Sequence, residues 1–254
     1  MTTASDVPAL HREPGLTGQT VVVIGGSAGI GLETARLARA EGADVILAAR
    51  DPERLKQAAA EVGALSSAAF DVTDWAALDR FFGGLPEVID HVLVTGPGPY
   101  YAPLAELDRE RAHQDWDFHL WLPVAIAQHA VGRMRPGGTL LFMGGTGGRS
   151  RGPGMSMIAA ATAAMPALIA NLAVEVAPIR VNLIAAGFVD TPLSATLLGD
   201  DLDARRDQLR AMLPIRRVVG PEDIAKLAVH LMTNTALTGG TYDIDGGQQL
   251  VAYR

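Results

Sequence analysis

Residues 20–31 read Thr20-Val21-Val22-Val23-Ile24-Gly25-Gly26-Ser27-Ala28-Gly29-Ile30-Gly31, and this stretch decides the fold. The β-branched run from Thr20 to Ile24 has the character of a strand buried in a parallel sheet. Glycines then turn the chain, and Ile30, Thr34, Leu37 and Ala38 follow at helical spacing. Strand, glycine turn and helix form the context in which a phosphate-cradling motif works. Gly25 permits the turn, Gly29 lets a pyrophosphate approach the backbone, and Gly31 lets the helix lie close to the strand. The helix start offers N–H groups and the positive end of its dipole to the phosphates.

The same residues carry a second pattern. Gly25-Gly26-Ser27-Ala28-Gly29 matches Gly-x-Ser-x-Gly, the nucleophile elbow of α/β-hydrolases, with Ser27 as the nucleophile. That elbow normally follows several strands, one of which supplies the oxyanion loop, and here only a short tail precedes it. The late histidine it requires would be His230, which sits inside a helical pattern and not in a loop. A serine hydrolase is therefore the remote alternative.

The bulk composition narrows the classes further. With 254 residues, 48% of them hydrophobic, the chain suits one large α/β domain. A net charge of −7 argues against a nucleic-acid partner. The absence of cysteine excludes disulfides and thiolate metal sites and fits a cytoplasmic protein. The N-terminus lacks the basic region and apolar core of a signal peptide, and the histidines form no metal-ligand cluster. Gly152 to Val174 is uncharged and long enough to span a bilayer, but it is rich in alanine and contains Pro166, Ser156, Thr162 and Asn171. A helix buried on both sides inside an oligomer is the better reading, with no membrane partner.

Outward from the glycine turn, Asp44 to Ala49 forms a second strand that ends at Arg50. In a dinucleotide fold this end lies beside the adenosine ribose, where an acidic residue selects NAD. Ala49 is neutral, and Arg50 can pair with a 2′-phosphate, which favours NADP(H); the alternative is a solvated arginine before the Asp51-Pro52 turn. Further strands are expected at Leu65–Phe70, Ile89–Val94, Thr139–Met143, Ile179–Ile184 and Thr241–Asp245. Helices are expected at Pro52–Glu61, Leu107–Met134, from Gly152 to about Val176, in a polar lid from Ser194 to Leu213, and from Pro221. Met1 to about Thr17 reads as a flexible tail before a single domain from residue 18 to 254. Seven strands alternating with helices give a doubly wound, mostly parallel sheet covered on both faces.

The Gly-x-x-x-Gly-x-Gly spacing of residues 25–31 resembles that of the short-chain dehydrogenase/reductase family, and the resemblance spans about residues 18 to 250. It implies an NADP(H)-binding oxidoreductase, homodimeric or homotetrameric, acting on a small molecule. Asp71 matches the residue that contacts adenine, and Gly98 the conserved glycine after the fourth strand, although Thr95-Gly96-Pro97-Gly98 lacks the asparagines usual there. Thr191, in Gly187-Phe188-Val189-Asp190-Thr191, matches the partner of the nicotinamide carboxamide. Ser27, Ile30, Val72 and Val189 complete the implied cofactor site.

The family's chemistry uses a Ser, a Tyr-x-x-x-Lys motif and an Asn. Leu172-Ala173-Val174-Glu175-Val176-Ala177-Pro178 matches the end of the helix that carries the motif. Counting back puts Ile158 at the Tyr position and Thr162 at the Lys position; Gly145 falls at the Ser position and His119 at the Asn position. Ile158 has no proton to give and Thr162 no charge, so ordinary ketone reduction should be very slow. Candidate substitutes are His119, either a proton donor or a structural histidine, and Tyr100 or Tyr101, either donors or loop packing. Arg149 and Arg151 would either hold an anionic substrate or be solvated, while Thr146, Ser150 and Ser156 lack an evident base. Two readings follow: an oxidoreductase with a non-standard site, suited to an imine or an activated C=C bond, or a catalytically silent nucleotide-binding sensor or partner subunit.

Overall fold

The computed structural model describes residues 13, 15–149 and 151–251. Seven strands form one fully parallel sheet: β1 (Thr20–Ile24), β2 (Asp44–Ala49), β3 (Ser66–Ala69), β4 (Ile89–Val94), β5 (Met134–Gly145), β6 (Arg180–Ala186) and β7 (Thr241–Ile244). Their order is β3-β2-β1-β4-β5-β6-β7. The winding therefore reverses between β1 and β4, and crevices for ligands open at such a switch point, beyond the carboxyl ends of the strands.

Helices α1 (Gly29–Ala40), α2 (Pro52–Val62) and α3 (Trp75–Gly83) follow the first three strands. Side chains of Asp51 and Asp74 cap α2 and α3 by accepting from the Arg54 and Ala77 amides. Beyond β4 come α4 (Arg109–Trp116), α5 (Leu122–Ala130) and α6 (Ser156–Glu175). Val22, Ile46, Val92 and Leu140 point toward α3, α5 and α6; Val21, Val23, Leu47 and Leu141 point toward α1, α2 and α9 (Pro221–Thr233). Successive residues of one strand thus feed opposite core layers, which explains why these strands read as continuous apolar runs.

Three expectations need correction. The long helix expected over Leu107–Met134 is broken. A π-turn over Asp117–Trp121 separates α4 from α5, and the Leu122 amide reaches back to the Asp117 carbonyl. Pro123 has no N–H for the His119 carbonyl four residues earlier, so the helical ladder slips by one residue there. The strand expected from Thr139 begins at Met134, and Pro136-Gly137-Gly138 is a detour inside β5. Met134 pairs with Ile89, and regular pairing resumes at Thr139 opposite His91. The described part of the expected tail belongs to the domain. Leu16 is wholly buried, and its amide donates to the Glu41 carbonyl at 2.9 Å. The rest of that tail, residues 1–12 and 14, lies outside the described residues, as does Ser150.

Candidate cofactor and active site

The glycine turn sits at the switch point with its backbone laid bare by crowding. Gly25 has φ +87°, and a Cβ there would lie 2.7 Å from the Thr95 carbonyl oxygen. Thr95, at the end of β4, clasps the turn by donating from Oγ1 to the Ile24 and Gly25 carbonyls, each at 3.2 Å. A Cβ on Gly31 would lie 2.8 Å from the Gly25 carbonyl carbon, so α1 can rest against the turn only with glycine at 31. Ala28 precedes α1 in an extended conformation and gives it no side-chain cap. The amides of the first turn are left to an outside acceptor, which a phosphate can be. A Cβ on Gly29 would stand 3.4 Å from the Thr191 side chain, so the two ends of the cradle adjoin.

Arg50 is exposed directly after buried Ala49 at the end of β2. Beyond β3, Asp71 Oδ1 accepts from both the amide and the hydroxyl of Thr73, at 3.0 and 2.7 Å. Burial works to raise the Asp71 carboxyl, but these two bonds and the Arg50 charge together hold it below its ordinary value. Val72, next to it, is buried in the core.

On the opposite side, Thr191 caps α7 (Pro192–Leu198), its Oγ1 accepting from the Ser194 amide at 3.3 Å. The expected lid is two helices: α7 and α8 (Leu202–Met212), joined by a tight turn at Gly199–Asp201. Asp190 fixes α8 through a forked pair with Arg206, at 2.9 and 2.7 Å. Leu193 and Leu197 of α7 lie over Gly98, where an added Cβ would find them at 3.1 and 3.2 Å. Both leucines stay partly exposed, as does Tyr101, so the mouth of the crevice is largely apolar.

α6 packs against the π-turn to form one wall, which carries Ile158, Thr162 and His119, with Gly145 at the end of β5. Ile158 is buried, and Thr162 turns its hydroxyl back onto the Ile158 carbonyl at 2.8 Å. A Cβ on Gly145 would meet nothing closer than 3.7 Å, so packing does not force glycine at that position. His119 rides on the π-turn, buried, with Nδ1 2.7 Å from the Asp115 carbonyl oxygen and 3.6 Å from Asp115 Oδ1. Nε2 makes no hydrogen bond among the described residues. Asp115 was not legible as a site residue. Its Oδ1 accepts from the Tyr100 amide at 3.2 Å, and its Oδ2 is buried without a partner among the described residues. Burial pushes the Asp115 carboxyl up, against the opposing influence of His119 and that amide.

Other candidates are committed elsewhere. The Tyr100 hydroxyl accepts from the Asp108 amide at 3.0 Å and its ring lies under the Arg111 guanidinium, so it anchors the start of α4. Arg149 forms a fork with Asp243 of β7 and also donates to Gln249, which removes it as an open anion anchor. Arg151 donates to the Gly148 carbonyl. Ser27 has no histidine partner among the described residues, and His230 pairs with Asn234 on α9.

Known proteins share this arrangement. A sequence profile described as enoyl-(acyl carrier protein) reductase matches residues 14–249. The chain belongs to the short-chain dehydrogenase/reductase family. The family relative carbonyl reductase family member 4 from Xenopus tropicalis is 30% identical over 235 residues, covering 90% of this chain and 97% of that protein. The short-chain dehydrogenase/reductase malC from Malbranchea aurantiaca is 26% identical, covering 92% and 96%. The structure of that protein, described as a reductase/Diels-Alderase, superimposes with a TM-score of 0.87 over 94% of this chain and 99% of its own. The crystal structure of BdcA in complex with NADPH is 26% identical, with a TM-score of 0.81 over 91% and 95%. This chain is thus an oxidoreductase of the family's type, with the family's sheet order and glycine turn.

Proposed function

We propose that this protein is an NADP(H)-dependent reductase whose substrate presents an iminium or an activated C=C bond in place of a simple ketone. One feature supports the reading: Ile158 and Thr162 stand where the family resemblance expects its Tyr and Lys, in a chain that keeps the glycine turn of a dinucleotide fold. The chain's two lysines, Lys56 and Lys226, lie on α2 and α9, on the far face of the sheet from α6.

The residues present fit a dinucleotide. The bare turn at Gly25–Gly31 and the uncapped start of α1 suit a pyrophosphate, and Arg50 suits a 2′-phosphate. Thr191 would hold the carboxamide and Asp71 the adenine, with Ser27, Ile30, Val72, Gly98 and Val189 lining the path. The NADPH bound by BdcA supports the same cofactor here. When bound, the reduced nicotinamide supplies a hydride.

What the chain adds is position without acid. Ile158 excludes water and offers no proton; Thr162 spends its hydroxyl on its own helix. An iminium carbon takes the hydride and becomes a neutral amine with no proton required. For an activated C=C bond a proton must follow, and His119 is the group on this wall that can hold one, at Nε2. The partner chemistry of the malC protein, reduction and Diels–Alder reaction, is consistent with a fold that hosts more than ketone reduction.

The test follows NADPH consumption with panels of ketones, cyclic imines and enones. Turnover is expected with imines or enones, and ketones should lag by the roughly 10²- to 10⁴-fold that general acid catalysis contributes. Brisk reduction of an ordinary ketone would overturn the proposal. NADPH binding with an inert panel would favour a silent nucleotide-binding subunit.

A further inference from the structure

Asp115 is the buried member of a polar pair. It lies in the last turn of α4 with its side chain 5% exposed, while the other charged residues of that helix are exposed. A buried carboxylate is costly unless donors or charges meet it. Oδ1 accepts from the Tyr100 amide, and Oδ2 has no partner among the described residues. The charge that can meet it belongs to His119, whose Nδ1 stands 3.6 Å from Oδ1. Burial works to raise the Asp115 carboxyl, and the His119 charge and then the Tyr100 amide oppose it. The interaction is mutual: what the protonated ring does for the carboxylate, the carboxylate does for the ring. α4, α5 and α6 pack on the π-turn, and their other charged groups are exposed or paired elsewhere. Arg111 lies over the Tyr100 ring, whose hydroxyl is held by the Asp108 amide; His129 pairs with Asp79, and Glu175 is exposed at the far end of α6. Asp117, on the turn itself, is partly buried.

The pair is docked at the switch point. Asp115 holds the Tyr100 amide, and the Phe118 ring leaves no room for a Cβ on Gly96; both partners belong to the loop that leaves β4. The ring hydrogen of His119 can be placed from its bonding. A carbonyl oxygen has no proton to give, so Nδ1, 2.7 Å from the Asp115 carbonyl, carries the hydrogen. The neutral ring then has a bare lone pair at Nε2. Unlike Asp115 Oδ2, Nε2 is not buried, so it keeps contact with solvent.

We propose that Asp115 is a positioning residue that makes His119 a carrier of one proton, with the ring hydrogen fixed at Nδ1, the mobile proton at Nε2, and the carboxylate balancing the charge of the protonated ring. The reaction served is the reduction of an activated C=C bond, and in that respect the inference rests on the reductase reading. An enolate left by hydride addition takes the Nε2 proton, its electron pair forming the new C–H or O–H bond. The ring returns to the neutral Nδ1–H tautomer and is recharged from water.

The test is long-range ¹H–¹⁵N NMR of the histidine rings in the full chain, with the His119 signals assigned by their loss in His119→Gln. The neutral ring is expected as the Nδ1–H tautomer. Asp115→Asn keeps an oxygen for the Tyr100 amide and removes the charge, and it should move the midpoint of the His119 signals to lower pH by about one unit. A neutral ring protonated at Nε2 in the unmutated protein, which needs no variant to observe, or an unmoved midpoint would each overturn the role. In enone reduction Asp115→Asn should lower kcat about tenfold at neutral pH with KM unchanged, and lowering the pH by about one unit should restore it. A loss of equal size at every pH would mark a structural defect and overturn the role. The NMR arm needs no turnover, so its failure leaves the reductase reading standing. An inert substrate panel beside the expected NMR pattern would remove the reductase reading and support the pair.

Discussion

Arg50 shows how much one side chain at a strand end can decide. Ala49 before it is buried and neutral, and the Asp71 carboxylate beyond neighbouring β3 is held below its ordinary value by its Thr73 hydrogen bonds and, with them, the Arg50 charge. A charge-assisted fork to a 2′-phosphate contributes about 1.5–3 kcal/mol, roughly ten- to hundredfold in affinity. Arg50→Ala should therefore weaken NADPH by that factor and leave NADH nearly unchanged, as read by calorimetry. Equal affinities of the unmutated protein for the two cofactors would end the NADP assignment. The place of Arg50 at the exposed end of β2 was legible in the sequence because it is local, set by the strand before it. Arg149 was not, because the carboxylate that claims it, Asp243, arrives from β7 at the other end of the chain. Asp115 escaped notice for a related reason: a polar residue in a polar helix gives no sign that its carboxyl is buried.

Among the elements, β1, β2 and β4 begin and end where expected because buried parallel strands are unbroken apolar runs, whereas β3 is shorter than expected and β5 begins at Met134 and not at Thr139. The helix after β4 was misread because Pro123 was passed over. One missing N–H in a strong helical pattern turns a straight rod into two helices and the π-turn that carries His119. A buried polar set lies where β1, β4 and β6 begin. His91 Nε2 of β4 lies 2.6 Å from Gln19 Oε1, its Nδ1 has no partner among the described residues, and Arg180 of β6 stands nearby. Burial, and then the Arg180 charge, push the His91 ring down to about 3 from an ordinary 6.5. Below the ordinary value the unfolded chain takes up a proton that the folded chain refuses, so stability falls as pH falls, until the folded value is reached. The slope is at most about 1.4 kcal/mol per pH unit. Urea unfolding of His91→Gln between pH 6 and pH 4 should show a correspondingly flatter decline. An unchanged decline would assign the acid sensitivity to other groups.

At the scale of the whole molecule, α6 poses the main problem. It is apolar enough by length and composition to cross a membrane, yet Ile158, Met165, Ile169 and Leu172 are packed onto the sheet. Its outward side keeps Val174 78% exposed, and Trp121, between α4 and α5, is 63% exposed. An apolar face of that kind on a folded domain calls for a partner. We propose that two copies pair through this face about a two-fold axis. Light scattering at micromolar concentration should return at least twice the 26.6 kDa chain mass, and Val174→Asp should shift the population toward monomer. A monomer before mutation would refute the pairing.

The contact between Gly29 and Thr191 has a consequence for how the protein is made. These residues bracket more than half the chain, and the cradle closes only where they adjoin. During synthesis the glycine turn leaves the ribosome early, but it has no opposite wall until β6 and the loop after it have emerged. On the proposed NADP(H) reading, nucleotide capture would therefore be a late event. A nascent chain stalled before Thr191 would carry the whole phosphate motif and still lack the grip to retain a cofactor.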